Sequence, residues 1–286
     1  MKERALRIGR PTPLIGIVSE PEVFDPARPA VIILNSGIMH HVGACRLSVR
    51  LARAVAAKGL LAVRFDYSGI GDSVPRRGSA SFDEVSPREC GEVMDYLEKT
   101  RGCRRFILYG LCSGADASYN TALVDPRVIA IAQIDAYCYK TLRFYIEFYR
   151  PIVFRLDRWR SFLRRLWRQY SGHGAASEAA SPLQPQGEDY EIPTYTRIFP
   201  PRAVIARGLQ QLVARRVRMY VNFTGGEPAY CYQDQYRASF PDVKFGELLR
   251  VDYYPQTNHI ITQPQYQAQI VDSIASWMAE VPASGG

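Results

Sequence analysis

The sequence predicts an α/β fold: a mostly parallel sheet with helices on both faces, carrying one inserted helical lid. Three observations lead there. Short apolar segments alternate with amphipathic helical patterns along the chain. Its 286 residues are 47% hydrophobic and 12% aromatic, enough for a sizeable packed core. The alternation stops at residue 139 and resumes after residue 200.

The elements follow in order. Ala30 to Asn35 (AVIILN) is short and continuously apolar, the pattern of a strand buried on both faces. Arg46 to Lys58 has helical spacing, and Leu60 to Phe65 (LLAVRF) is the next buried strand. Ser86 to Thr100 reads as a helix, Arg105 to Tyr109 as a strand, Ser113 to Leu123 as a helix and Val128 to Ile134 as a strand. Residues 139–170 are basic and aromatic without a strand pattern, and residues 171–187 are rich in Ser, Ala, Gly and Pro, the composition of a mobile loop. A helix at Pro201 to Arg215, strands at Arg218 to Phe223 (RMYVNF) and Val251 to Tyr254, and a terminal helix at Gln263 to Glu280 complete the series. The expected organisation is therefore a core in two parts, residues 1–138 and 201–286, with a lid or cap at 139–200 over the strand ends.

Composition excludes other classes. With 12% aromatics and a mean hydropathy of -0.18, the chain is not disordered as a whole. Its longest apolar stretches, such as Ala30 to Leu34 and Val128 to Ile134, fall far below the roughly 18 residues of a membrane-spanning helix. Lys2, Glu3, Arg4, Arg7 and Arg10 open the chain without the apolar run of a secretory signal, so a cytoplasmic location is expected. Six dispersed cysteines without a C-x-x-C pair read as free thiols. The net charge of +8 favours an acidic partner.

The most informative stretch is Phe106-Ile-Leu-Tyr-Gly110-Leu111-Cys112-Ser113-Gly114-Ala115, which sets G-x-C-x-G between a strand and a helix. That is the context of a nucleophile elbow, where the central residue sits on a strained turn and the glycines let two backbones pass closely. Framing the motif on Ser113 would put Leu111 and Ala115 where glycines belong, so the thiol of Cys112 is the expected nucleophile. A helix N-terminus and a neighbouring imidazole both favour a thiolate. The bland alternative is a small cysteine filling a tight turn.

An elbow nucleophile takes its acid after a later strand and its base after the last one. His259, one of four histidines, lies just past the strand Val251 to Tyr254 and is the expected base. Glu227, in Thr224-Gly225-Gly226-Glu227 after the strand Arg218 to Phe223, is the first candidate for the acid, and Asp234 is the second. His40 and His41 are adjacent and lack a third ligand at useful spacing, so no metal site and no cofactor is expected.

These motifs resemble those of the α/β-hydrolase superfamily. Asn35-Ser-Gly37-Ile38 stands where that superfamily has its His-Gly loop, and Phe65-Asp66-Tyr-Ser-Gly69-Ile-Gly71-Asp-Ser73 is similar to its D-x-x-G-x-G-x-S turn. The likeness is nearest to the exosortase-A-associated hydrolases, with Asn-x-Gly at the first loop and Gly-Leu-Cys at the elbow. The resemblance implies an oxyanion hole from the amides of Ile38 and Ser113. It also implies that Asp66, Gly69, Gly71 and Ser73 hold the turn beside the site.

A cysteine nucleophile makes an S-acyl intermediate, and exchange between thioesters is nearly neutral in energy. The expected function is therefore acyl transfer from a thioester through Cys112 to water, a second thiol or an amine. Superfamily members with a cysteine elbow include acyl shuttles that serve carrier proteins, so an acidic acyl or peptidyl carrier is an expected partner. Two other readings stand beside this one: a hydrolase of small esters or lactones, and a non-catalytic binding protein on the same fold. Between Lys140 and Tyr170, nine basic residues interleave with aromatics. Arg158, Arg160, Arg164 and Arg165 are the candidates for carrier docking, while peripheral membrane contact and a solvated cationic face remain open. No nucleic-acid motif is present, and none is expected as partner.

Overall fold

The computed structural model describes residues 1–76, 81–153 and 197–282. Eight strands form one sheet: β1 (Lys2–Ile8), β2 (Leu14–Glu20), β3 (Ala30–Ile33), β4 (Ala62–Phe65), β5 (Phe106–Leu111), β6 (Val128–Ile134), β7 (Arg218–Thr224) and β8 (Leu249–Tyr254). Their order is β1-β2-β4-β3-β5-β6-β7-β8. From β4 to β8 every neighbouring pair is parallel, while β2 is antiparallel to both β1 and β4.

The β1–β2 hairpin escaped the sequence reading because only Leu6 and Ile8 of β1 are driven inward by a clear apolar signal. β1 is an edge strand with Lys2, Arg4 and Arg7 exposed, charges that guard it against pairing with another chain.

Side chains alternate across the sheet with period two. Ile32, Val63, Leu108 and Ile131 pack on one face, beneath α2 (Phe82–Arg101), α3 (Ser113–Val124) and α5 (Arg202–Ala214). Val31, Ala62, Ile107 and Ala132 pack on the other, beneath α1 (Leu47–Ala57) and α7 (Pro264–Ala279). Helix α2 starts earlier than the periodicity predicts. Ser81 caps it, with Glu84 Oε2 accepting the Ser81 N–H at 2.9 Å, and Pro87 is carried inside the helix.

The insertion opens with α4 (Leu142–Val153), in which Phe144 is buried while Leu142 and Ile146 face out. The mobile tract expected at 171–187 and the arginines 158, 160, 164 and 165 lie outside the described residues. A short helix, α6 (Gln235–Ser239), follows β7. Among the described residues no helix is long and apolar enough to cross a membrane. Because β3 and β5 to β8 run parallel, the loops carrying Gly37, Cys112, Asp135, Glu227 and His259 all emerge at one edge of the sheet.

Candidate active site

Cys112 is the single residue between β5 and α3, and its backbone is left-handed, with φ 55° and ψ -117°. A non-glycine residue there carries roughly 1–3 kcal/mol of strain, so its surroundings must hold it in place. They do so through main-chain bonds. The Cys112 N–H donates to Ile134 O at 2.9 Å, and Cys112 O accepts from the N–H groups of Ala115 (2.9 Å) and Asp116 (3.1 Å).

The flanking glycines are required by space. A Cβ on Gly110 would stand 2.0 Å from the carbonyl of Gly114, and one on Gly114 would stand 2.5 Å from Asn35 O. Gly114 therefore lets the loop after β3 lie against the elbow. That loop is tied down there, because Gly37 N–H donates to Ser113 Oγ at 2.5 Å. Ser113 is fully buried and its hydroxyl is spent on this bond, which leaves the thiol as the elbow group facing His259.

His259 Nδ1 lies 2.6 Å from Asp135 Oδ2, and the imidazole also interacts with Cys112. First the carboxylate bond, then the interaction with Cys112, push the imidazole up from 6.5 to about 10, against the opposing effect of burial. The ring is held as an imidazolium beside the thiol. Cys103 and Cys138, by contrast, are buried, and burial pushes their thiols up to about 11 and about 12.

The carboxylate within hydrogen-bond distance of His259 is that of Asp135; Glu227 and Asp234, the expected candidates for the acid, make no bond to the imidazole. The sheet order explains the difference. β6 is the strand next to β5, so the residue after Ile134 emerges one strand nearer the elbow than anything following β7. Asp135 is fully buried in a left-handed backbone conformation, φ 52°, which an aspartate tolerates better than most residues. Its carboxylate also accepts from Thr224 N–H and Thr224 Oγ1, both at 2.8 Å.

Glu227 is buried nearby but faces elsewhere. Its Oε1 takes Ala229 N–H at 3.0 Å and its Oε2 lies 3.7 Å from Arg197 Nη1; burial pushes its carboxyl up. Asp234 is the residue before α6 and makes no bond to His259. The β7 loop has a different task. A Cβ on Gly226 would come within 2.3 Å of His259 N, so this glycine gives the His259 loop room to cross toward β6 and the elbow.

Ser113 N–H, at the first position of α3, has no intrahelical acceptor, and the Gly37–Ile38 turn abuts the same helix start. The two expected oxyanion donors are thus on adjoining backbones. The Ile38 side chain itself is exposed. Asn35 anchors this loop: its Nδ2 donates to Met39 O (2.8 Å) and Asp66 Oδ1 (2.9 Å), and its Oδ1 accepts Tyr67 N–H (3.0 Å).

Asp66 further accepts His41 N–H at 2.5 Å and Asp72 N–H at 3.1 Å, and Ser73 Oγ donates to Asp66 O at 2.7 Å. His41 Nδ1 lies 2.7 Å from Asp66 and 4.0 Å from Asp72. These three side chains have the grouping of metal ligands that the sequence reading did not find for His41. Donors already fill the Asp66 oxygens, so the cluster works as a clasp for the two loops.

Solved structures share the fold over nearly the whole chain. A carboxylesterase of Bacillus subtilis superposes with a TM-score of 0.57 at 16% identity, covering 96% of this chain and 91% of that one. The alpha/beta hydrolase domain-containing protein 10 of mouse gives 0.55 at 14%, covering 99% and 100%. A serine hydrolase without lid from Xanthomonas campestris gives 0.53 at 14%, covering 98% and 97%. No protein-family model and no curated protein sequence matches the chain. At these identities the likeness concerns the fold: the chain has the α/β-hydrolase fold.

Proposed function

We propose that the protein is an acyl-transfer enzyme in which Cys112 is the nucleophile, His259 the acid and base, and Asp135 the group that orients and charges the imidazole. The observation that carries this is a strained elbow thiol interacting with an imidazole that lies 2.6 Å from a buried carboxylate. The thiolate sulfur attacks the carbonyl of an acyl thioester, and the carbonyl electron pair moves onto oxygen. The amides of Ser113 and Ile38 are the proposed donors to that oxyanion. When the intermediate collapses, the donor's C–S bond breaks and the leaving thiolate takes the proton from His259. An incoming water, thiol or amine then gives its proton to His259 while attacking the S-acyl group, and the Cys112 thiolate is released.

A thioester donor is favoured because its exchange onto another sulfur is nearly neutral. The charge of +8, with Arg143 and Arg150 exposed on α4, supports an acidic carrier as its source. A second reading, hydrolysis of small esters or lactones, is supported by the likeness to the Bacillus carboxylesterase. A panel of acyl thioesters, esters and lactones, each offered with and without a second thiol, separates the two. Thioester turnover that rises with added thiol supports transfer. Turnover of esters or lactones alone, indifferent to thiols, supports the second reading.

A further inference from the structure

Arg197, near the end of the insertion, is the first described residue after 153, and it runs directly into the site. Its Nε and Nη2 grip Asp116 of α3 at 2.8 and 3.0 Å, and Nη2 also donates to the main-chain oxygen of Asp135 at 2.8 Å. Its Nη1 faces Glu227 Oε2 at 3.7 Å. The guanidinium lies over the rings of Phe199 and Tyr137, 4.7 and 5.5 Å from their centres, and its side chain is only 13% exposed. One side chain thus spans the first turn of the elbow helix, the loop after β6 and the loop after β7.

The charges around Cys112 make that position consequential. Asp116, Asp135 and Glu227 are all buried here, at 1%, 0% and 6% exposure. Asp116 and Asp135 lie on either side of the elbow and Glu227 bears on their shared partners Arg197 and His259, so negative charge here opposes a thiolate. Two cations oppose this among the described groups: His259, from the loop after β8, and Arg197, whose charge interacts with Cys112 directly. The phenol of Tyr137 faces the same cluster and burial keeps it protonated.

We infer that Arg197 is a positioning residue of this site, fixing the Asp135 main chain against the elbow helix and supplying positive charge that sustains the Cys112 thiolate. This rests on the proposed role of Cys112. It means that a residue near the end of the insertion takes part in the site.

The test uses the full chain, unmodified and with Arg197→Met, Arg197→Lys, Glu227→Gln or both Arg197→Met and Glu227→Gln. Alkylation of Cys112 by iodoacetamide is followed from pH 5 to 10 by peptide mapping, and repeated with iodoacetate. In Arg197→Met the apparent thiol pKa should rise by about one unit, and the iodoacetate-to-iodoacetamide rate ratio should fall severalfold. Arg197→Lys should keep most of both. Adding Glu227→Gln to Arg197→Met should restore part of the profile, and Glu227→Gln alone should shift it the opposite way. This last variant decides the matter if Arg197→Met does not fold. A profile unmoved in Arg197→Met and Glu227→Gln, with only a lowered melting temperature, would reduce Arg197 to a structural tie and overturn the inference. If Cys112 in the unmodified protein reacts no faster than the other thiols, it is the acyl-transfer reading that fails.

Discussion

Replacing Asp135 by asparagine should cost catalysis far more than it costs the fold. The side chains have the same shape, and an asparagine oxygen can still accept Thr224 N–H, now made at 2.8 Å. Its amide nitrogen, however, would take the place of the oxygen that lies 2.6 Å from His259 Nδ1. Two N–H groups cannot face each other, so the ring is held neutral with its one hydrogen toward Cys112 and can no longer form the imidazolium that pairs with the thiolate and protonates the leaving thiolate. In serine-based triads the equivalent change costs about 10⁴ in kcat. A thiol is far more acidic than a hydroxyl and needs less help, so a loss of about 10²–10³ is expected here, about 3–4 kcal/mol of barrier. The lost charge-assisted bond should lower stability by about 1–3 kcal/mol. Single-turnover acylation with a chromogenic thioester, read beside a melting curve, measures both. Glu227→Gln should stay within about threefold of the unmodified rate, and Asp234→Asn should be neutral. Near-normal acylation in Asp135→Asn with none in Glu227→Gln would refute the placement of the acid.

His259 also gives the protein a pH signature. Its folded-state value of about 10 exceeds the ordinary 6.5, so the imidazolium contributes stability that is whole below about 6.5 and declines as pH rises toward 10. Melting temperatures across that range should fall, and the fall should be smaller in Asp135→Asn. Gly114→Ala drives a methyl to within 2.5 Å of Asn35 O, so it should push the first loop off the elbow, with about 1–3 kcal/mol lost and acylation impaired more than stability. Asn35→Ala removes three loop-anchoring bonds and leaves buried groups unpaired; a drop of several degrees in melting temperature, with Cys112 still alkylated, is expected.

The sheet from β3 to β7 was legible because most of its strands are short apolar runs that alternate with helical patterns, whereas β8, with Arg250 and Asp252, was read only over Val251 to Tyr254. The elbow was legible for a stronger reason, since Gly110 and Gly114 are dictated by backbone contacts of 2.0 and 2.5 Å that admit no other residue. Asp135 was not singled out, because chain order says nothing about which strand end lies nearest the elbow. Asp135 stands directly after the apolar run Val128–Ile134, and that first carboxylate off a buried strand was the available signal. Arg197 could not be read at all. Its role depends on Asp116, Asp135 and Glu227, which are distant in sequence and meet only when the sheet is assembled. The β1–β2 hairpin was hidden for a local reason, the charged outer face of β1.

The central claim is that an acyl group is carried on Cys112 sulfur. Rapid-quench intact mass measurement after mixing with an acyl thioester, followed by peptide mapping, tests it most directly. One acyl mass is expected on the protein within the first turnover, mapped to Cys112, removed by hydroxylamine, absent in Cys112→Ala and retained in Ser113→Ala. Turnover by Cys112→Ala at the unmodified rate, or an adduct mapped to Ser113, would contradict it.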